Sequence, residues 1–143
     1  MKIAICGSLN FTYEIKEVAD ELKNLGFDVS IPISSEKILR GELSLDEIKN
    51  EKENGKFSDR AIKYDSIRAY WKIIQESDAV LIVNLDKNNI ENYIGGNSFL
   101  EMAFAHVLNK KIFLLNPIPK MNYADEIEAM QPIIINGDLT NLK

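Results

Sequence analysis

The sequence predicts an α/β protein built on a five-stranded parallel sheet with helices on both faces. Three observations carry this expectation. Short, unbroken apolar runs, such as 2–6 and 79–83, read as strands buried on both faces. Segments with apolar residues at helical spacing separate these runs, the alternation expected of a βαβ chain. The 143 residues suit one domain, 1–143, able to bury about two-thirds of the surface that its unfolded chain exposes. With right-handed crossovers, the favoured strand order is 2-1-3-4-5, the flavodoxin-like or Rossmann-like three-layer sandwich.

Each element follows in order. The first strand, 2–6, stops at Gly7 and Ser8. Over 12–25, Ile15, Val18, Ala19, Leu22 and Leu25 recur at helical spacing, and Gly26 is a natural stop. A second strand, 27–31, closes at Pro32. Residues 34–60 are the least regular stretch. Within them Ser44-Leu45-Asp46-Glu47 is a capping box opening a short charged helix that Gly55 ends. The mixed charges of 49–56 suggest a solvated face or a flap over a pocket rather than a binding patch. A long helix is expected from Ser58 or Asp59 to about Glu76, with Ile67, Tyr70, Trp71 and Ile74 as its buried stripe. Strand 3 is 79–83, and a polar loop, 87–97, leads to an apolar helix. Strand 4 is 111–115, stopped by Asn116-Pro117-Ile118-Pro119. A short helix over 125–130 and a fifth strand, 133–135, precede a tail from Gly137 that either frays or docks on a neighbour.

Composition narrows the function. With 17 basic and 22 acidic residues, the net charge of −5 argues against binding to a nucleic-acid polymer. One cysteine, Cys6, allows no disulfide framework, and a single histidine, His106, makes a zinc site improbable. His106 is expected to be structural or to lie in an interface. The first apolar run is too short for a signal peptide or a membrane span, so a cytoplasmic protein is expected. No motif calls for a cofactor or metal: there is neither G-x-G-x-x-G nor a Walker A loop.

The stretch Gly95-Gly96-Asn97-Ser98-Phe99-Leu100-Glu101 and the helix after it draw most attention. That helix is apolar on nearly every side, as in a core or subunit interface, which points to a homodimer or larger homo-oligomer. Glu101 is the one carboxylate inside it. Ser98-x-x-Glu101 is itself a capping box, in which Glu101 would only bond back to the helix start. Alternatively, Glu101 serves a ligand, since a buried carboxylate without partners is costly. In the order 2-1-3-4-5, ligands bind at the switch point between strands 1 and 3. Gly7, Ser8, Asn84, Asp86, Gly95, Gly96, Asn97, Ser98 and Glu101 are all expected there. The helix start also offers free N–H groups to a phosphate or carboxylate.

The segments Ile5-Cys6-Gly7-Ser8, Ser77-Asp78-Ala79-Val80-Leu81-Ile82-Val83-Asn84 and Ser98-Phe99-Leu100-Glu101-Met102-Ala103-Phe104-Ala105 resemble the nucleoside 2-deoxyribosyltransferase superfamily, which includes the 2′-deoxynucleoside 5′-phosphate N-hydrolases. The likeness runs from Lys2 to about Leu115. The Gly-Gly-Asn-Ser-x-x-Glu stretch is also similar to the lysine-decarboxylase-like phosphoribohydrolases, which cleave the same kind of bond. The resemblance implies that Glu101 is a nucleophile at the sugar's anomeric carbon, in the double displacement of a retaining glycosidase. It further implies a nucleoside or nucleoside 5′-monophosphate as the ligand. A 5′-phosphate would lie on Ser8 and the Ser98 helix end, with Arg68 as the nearest basic partner.

The sequence departs from the family at one position. An aspartate belongs on the helix before strand 3, where this chain has Tyr70; Asp65 and Asp86 are the nearest replacements. Tyr70 can donate a hydrogen bond, but a phenol with pKa near 10 is a poor acid. The Asn116-Pro117-Ile118-Pro119 and Asn136-Gly137-Asp138-Leu139 stretches also lie outside the family's pattern and suggest a distinct subgroup. Two functions stand side by side: cleavage or transfer at an N-glycosidic bond, and a nucleotide-binding or sensing module that keeps the pocket without turnover.

Overall fold

A computed structural model describes residues 1–142. Five parallel strands, β1 (Lys2–Cys6), β2 (Asp28–Ser30), β3 (Ala79–Ile82), β4 (Lys111–Leu114) and β5 (Ile133–Ile134), form one sheet in the order β2-β1-β3-β4-β5. The expected fold class and strand order are therefore borne out. The three central strands are buried on both faces, which is why they read as continuous apolar runs.

Alternation along the strands divides the core in two. Ile3, Ile5, Leu81, Val83 and Phe113 meet α1 (Thr12–Asn24) through Ile15, Ala19 and Leu22. Ala4, Cys6, Val80, Ile82 and Leu114 meet the other layer, formed by α5 (Ser66–Gln75), α6 (Gly96–Val107) and α7 (Ala124–Ala129). Up to residue 142 the C-terminal tail packs back on its own domain. Leu139 and Leu142 are buried in the α1-side core, so the last turn seals its own domain.

Between β2 and α5 lies a helical insertion: α2 (Ile33–Leu39), α3 (Leu45–Glu53) and α4 (Phe57–Lys63). The Ser44 cap forms as expected, its hydroxyl accepting from Glu47 N at 3.1 Å. The expected long helix from residue 58 to 76 is instead broken. Asp65 adopts a left-handed conformation (φ 48°), so α4 stops and α5 starts afresh. Ile67 is consequently exposed, and Tyr70 and Ile74 alone of the expected stripe are fully buried. Periodicity carried across this break, because one left-handed residue changes the chain's direction without changing composition.

The helix after strand 3 also starts earlier than its sequence suggests. α6 begins at Gly96, with extended Gly95 as its N-cap. Ser98 thus lies within the first turn and Glu101 more than a turn inside the helix. The Ser98–Glu101 capping box does not form. Gly95, extended and without a side-chain cap, takes the N-cap place expected for Ser98.

Candidate functional site

A cavity of about 380 Å³ opens at the carboxyl ends of β1 and β3, where the strand order reverses. That volume lies within the range of small-molecule sites. One wall comes from the sheet and α6: Gly7 and Ser8 after β1, Lys87 and Tyr93 from the loop after β3, and 95–98 with Glu101. The facing wall comes from the insertion and the start of α5, including Lys37, Lys52, Phe57, Arg60, Tyr64 and Ile67. Packing leaves little room for a side chain at Gly7. A Cβ on it would lie 3.1 Å from both Ile15 Cδ1 and Val83 O.

Glu101 is the acidic residue in this lining. Among the described residues its carboxylate has no hydrogen-bonding or ionic partner, and burial alone pushes its pKa up to about 8. No cation sits close enough to pull the value down; the side chain is half-buried and keeps its carboxylate open to the cavity. With the capping box gone, its side chain has no local structural task. Ser98 is buried beside it on the same cavity wall.

The cationic groups gather around Ser8 and the insertion. Lys87 Nζ donates to Ser8 Oγ at 2.9 Å. Its backbone is held by reciprocal hydrogen bonds with Ile90, in a loop that Asn88 and Asn89 turn through left-handed conformations. Lys52 lies 5.0 Å from the Phe57 ring centre, and Lys37 lies 3.8 Å from that of Tyr64. Arg60 is committed elsewhere: Glu51 takes it in a bidentate ion pair, with Nη2–Oε1 at 2.6 Å. Burial lowers the pKa of Lys52, and burial together with the Lys52 charge lowers that of Lys87.

Several expected site residues lie elsewhere. Asn84 is buried, but its side chain is used up in joining two strand ends. It donates to Asn116 O (2.9 Å) and Pro117 O (3.1 Å) and accepts from Asn116 N (3.0 Å). Asp86 is exposed and accepts from Asn92 N, bracing the loop. Asp65 and Arg68 pair with each other at 2.8 Å on the surface, so Arg68 is no phosphate ligand of this cavity. Tyr70 does line the cavity, yet its hydroxyl donates to Ile5 O, and burial raises its pKa well above 10. No aspartate faces Glu101 across the cavity.

Sequence reasoning missed Lys37, Lys52 and Lys87. The stretch 49–56 was expected to be a solvated face or a flap over a pocket; Lys52 is exposed and also belongs to the cavity lining, as the second alternative has it. A lysine one turn from other charges carries no signal of where its helix will dock. His106, expected to be structural or interfacial, is exposed in the last turn of α6. Among the described residues there is no cluster of three metal-ligating side chains and no helix long and apolar enough to cross a membrane.

Fold and cavity together define a doubly wound α/β protein with a ligand-sized cavity at its topological switch point. Compared with models of known protein families and with curated proteins, the chain matches none.

Proposed function

We propose that this cavity binds a nucleoside 5′-monophosphate, or its nucleoside, and that Glu101 attacks C1′ to break the N-glycosidic bond. The observation that carries the proposal is Glu101 itself, a partnerless carboxylate in a ligand-sized cavity. Such a group is costly to keep and is a recurrent sign of function. The resemblance of Ser98-Phe99-Leu100-Glu101 to the deoxyribosyltransferase pattern adds the bond type.

In the proposed reaction a C1′–O bond forms to Glu101 as the C1′–N bond breaks. The bonding pair leaves with the base, which takes up a proton from water. Water then displaces Glu101 from C1′ and frees the sugar, or a second base does so and forms a new C1′–N bond; either gives up a proton to solvent. The attacking form is the ionised one. With a pKa of about 8, roughly a tenth of Glu101 is ionised at pH 7 in the free protein, so turnover rises toward pH 8. The setting we assign is cytoplasmic, and the assembly a homo-oligomer. Leu100 and Val107 support the latter, being exposed by 42% and 77% on α6.

One observation favours a binding module without turnover: the cavity offers no second carboxylate, and Tyr70's proton is engaged by Ile5 O. Incubation of the protein with deoxynucleosides and their 5′-monophosphates, followed by chromatography, separates the two. Free base is expected. Saturable binding with no base released assigns the cavity to sensing instead.

A further inference from the structure

Two lysines of the lining, Lys87 beside Ser8 and Lys52 on the facing wall, deepen the account of the ligand. Lys87 reaches the cavity from the sheet side, fixed by its loop and by Ser8 Oγ at 2.9 Å. Lys52 reaches it from α3, on the opposite wall. Of the other nearby cations, Arg60 is taken by Glu51 and Arg68 by Asp65, while Lys37 lies closer over Tyr64 (3.8 Å) than Lys52 does over Phe57 (5.0 Å) or Lys87 over Tyr93 (5.2 Å). Neither Lys52 nor Lys87 has an acidic partner among the described residues, where the ion pairs involve Lys16, Arg40, Arg60 and Arg68. The two like charges on this cavity repel each other, and no carboxylate neutralises either, although Lys52 is open to solvent and both lie over aromatic rings.

The insertion that carries Lys52 is a unit of its own. It has a separate small core of Ile38, Leu43 and Ile48, against which Leu9, Leu45 and Phe57 pack. It is tied to the rest through Leu9, through Ile33 against the sheet-side core and through a buried Thr12–Ser35 hydroxyl contact at 3.0 Å, and the left-handed Asp65 ends it. A group that attracts both lysines therefore joins this unit to the sheet.

We propose that Lys52 and Lys87 clasp one phosphate monoester dianion beside Ser8, closing the insertion over the cavity and making the phosphate a condition of tight binding. A phosphate monoester carries close to two charges near neutral pH and offers three acceptor oxygens, enough for two ammoniums and a hydroxyl. A single carboxylate brings half the charge. Lysine binds phosphate as a point charge and needs no planar fork. The clasp rests on the phosphate-bearing ligand proposed above, and not on the bond-breaking step.

The test is calorimetric titration with 2-deoxyribose 5-phosphate, which has the phosphate and sugar but no N-glycosidic bond. Lys52→Gln and Lys87→Gln are each expected to weaken binding by roughly tenfold or more, the size of a lost charge-assisted hydrogen bond. Lys49→Gln, on the same helix but outside the cavity, stays within about twofold and controls for net charge. Melting curves of the two cavity variants within a few degrees of wild type establish that both are folded when titrated. A wild-type protein that does not bind the sugar phosphate overturns the clasp, as do cavity variants that bind within twofold of wild type. The reaction is judged separately. If the lysine variants lose the sugar phosphate while no nucleotide ever yields free base, the clasp stands and the glycosidic reading falls. If base is released and the lysine variants bind like wild type, the reaction stands and the clasp falls.

Discussion

The two walls of the cavity are made of different material. The sheet side belongs to cores in which Ile3, Ile5, Leu81, Ile82, Met102 and Leu114 have no exposed surface at all. The insertion side rests on three buried aliphatic residues and an ion pair, Glu51–Arg60. Glu101 sits on the first wall, and Lys37, Lys52 and Tyr64 on the second. The difference assigns work to each. A group that must meet one atom of a ligand needs a support that does not yield, and α6 against β3 and β4 supplies it. Groups that attract charge tolerate a looser support, and a segment with few buried contacts opens at lower cost.

The largest expected effect separates the walls directly. Phe113→Ala empties a site in the sheet core and should cost about 3–5 kcal/mol, felt in the unfolding of the whole chain. Ile48→Ala should cost only about 2 kcal/mol, because the small cluster around it can collapse. Hydrogen exchange gives the sharper contrast. The first variant speeds exchange everywhere, the second chiefly in residues 33–64. Equal acceleration over both regions would merge the two walls into one cooperative unit.

A middle-sized effect concerns Tyr70, which touches both the cavity and the sheet. Tyr70→Phe leaves Ile5 O without its donor and should cost about 1–2 kcal/mol by denaturant unfolding. Base release, measured on the folded variant, should stay within about threefold of wild type, since that proton is already engaged. A loss of several orders of magnitude would make Tyr70 the acid after all. The smallest effect is at Arg68, which pairs with Asp65 in the open. Arg68→Ala should shift stability by less than about 1 kcal/mol and leave nucleotide affinity unchanged.

The sheet was legible because burial on both faces leaves a mark that nothing else makes: 2–6 and 79–83 are apolar at every position after Lys2. Gly7, Ser8, Gly95 to Ser98 and Glu101 were legible for a related reason, since strand order brings their turns to one crevice. The break at Asp65 was hidden, because a left-handed residue leaves the apolar spacing around it intact. Asn84 was misplaced because a polar residue at a strand end serves a neighbouring strand as well as it serves a ligand; its partner, Asn116, lies 32 residues on. The lysines were hidden most completely. Whether Lys52 faces water or a cavity depends on how α3 docks, and its own helix shows only alternating charges.

The most direct test of the account is Glu101→Gln, read by melting curve and by base release from deoxynucleoside 5′-monophosphates. Burial raises the folded pKa from 4.5 to about 8, so the folded protein keeps a proton that the unfolded chain releases between those values. Wild-type stability therefore falls as pH rises through that window, while the Gln variant, with nothing to ionise there, escapes the loss. The gap should widen to as much as a few kcal/mol, in favour of the variant, by pH 8. Base release by the same variant should drop by orders of magnitude, because an amide cannot attack C1′. A Gln variant that melts at or above wild type and still releases base at the wild-type rate would contradict the assignment of Glu101 as the nucleophile.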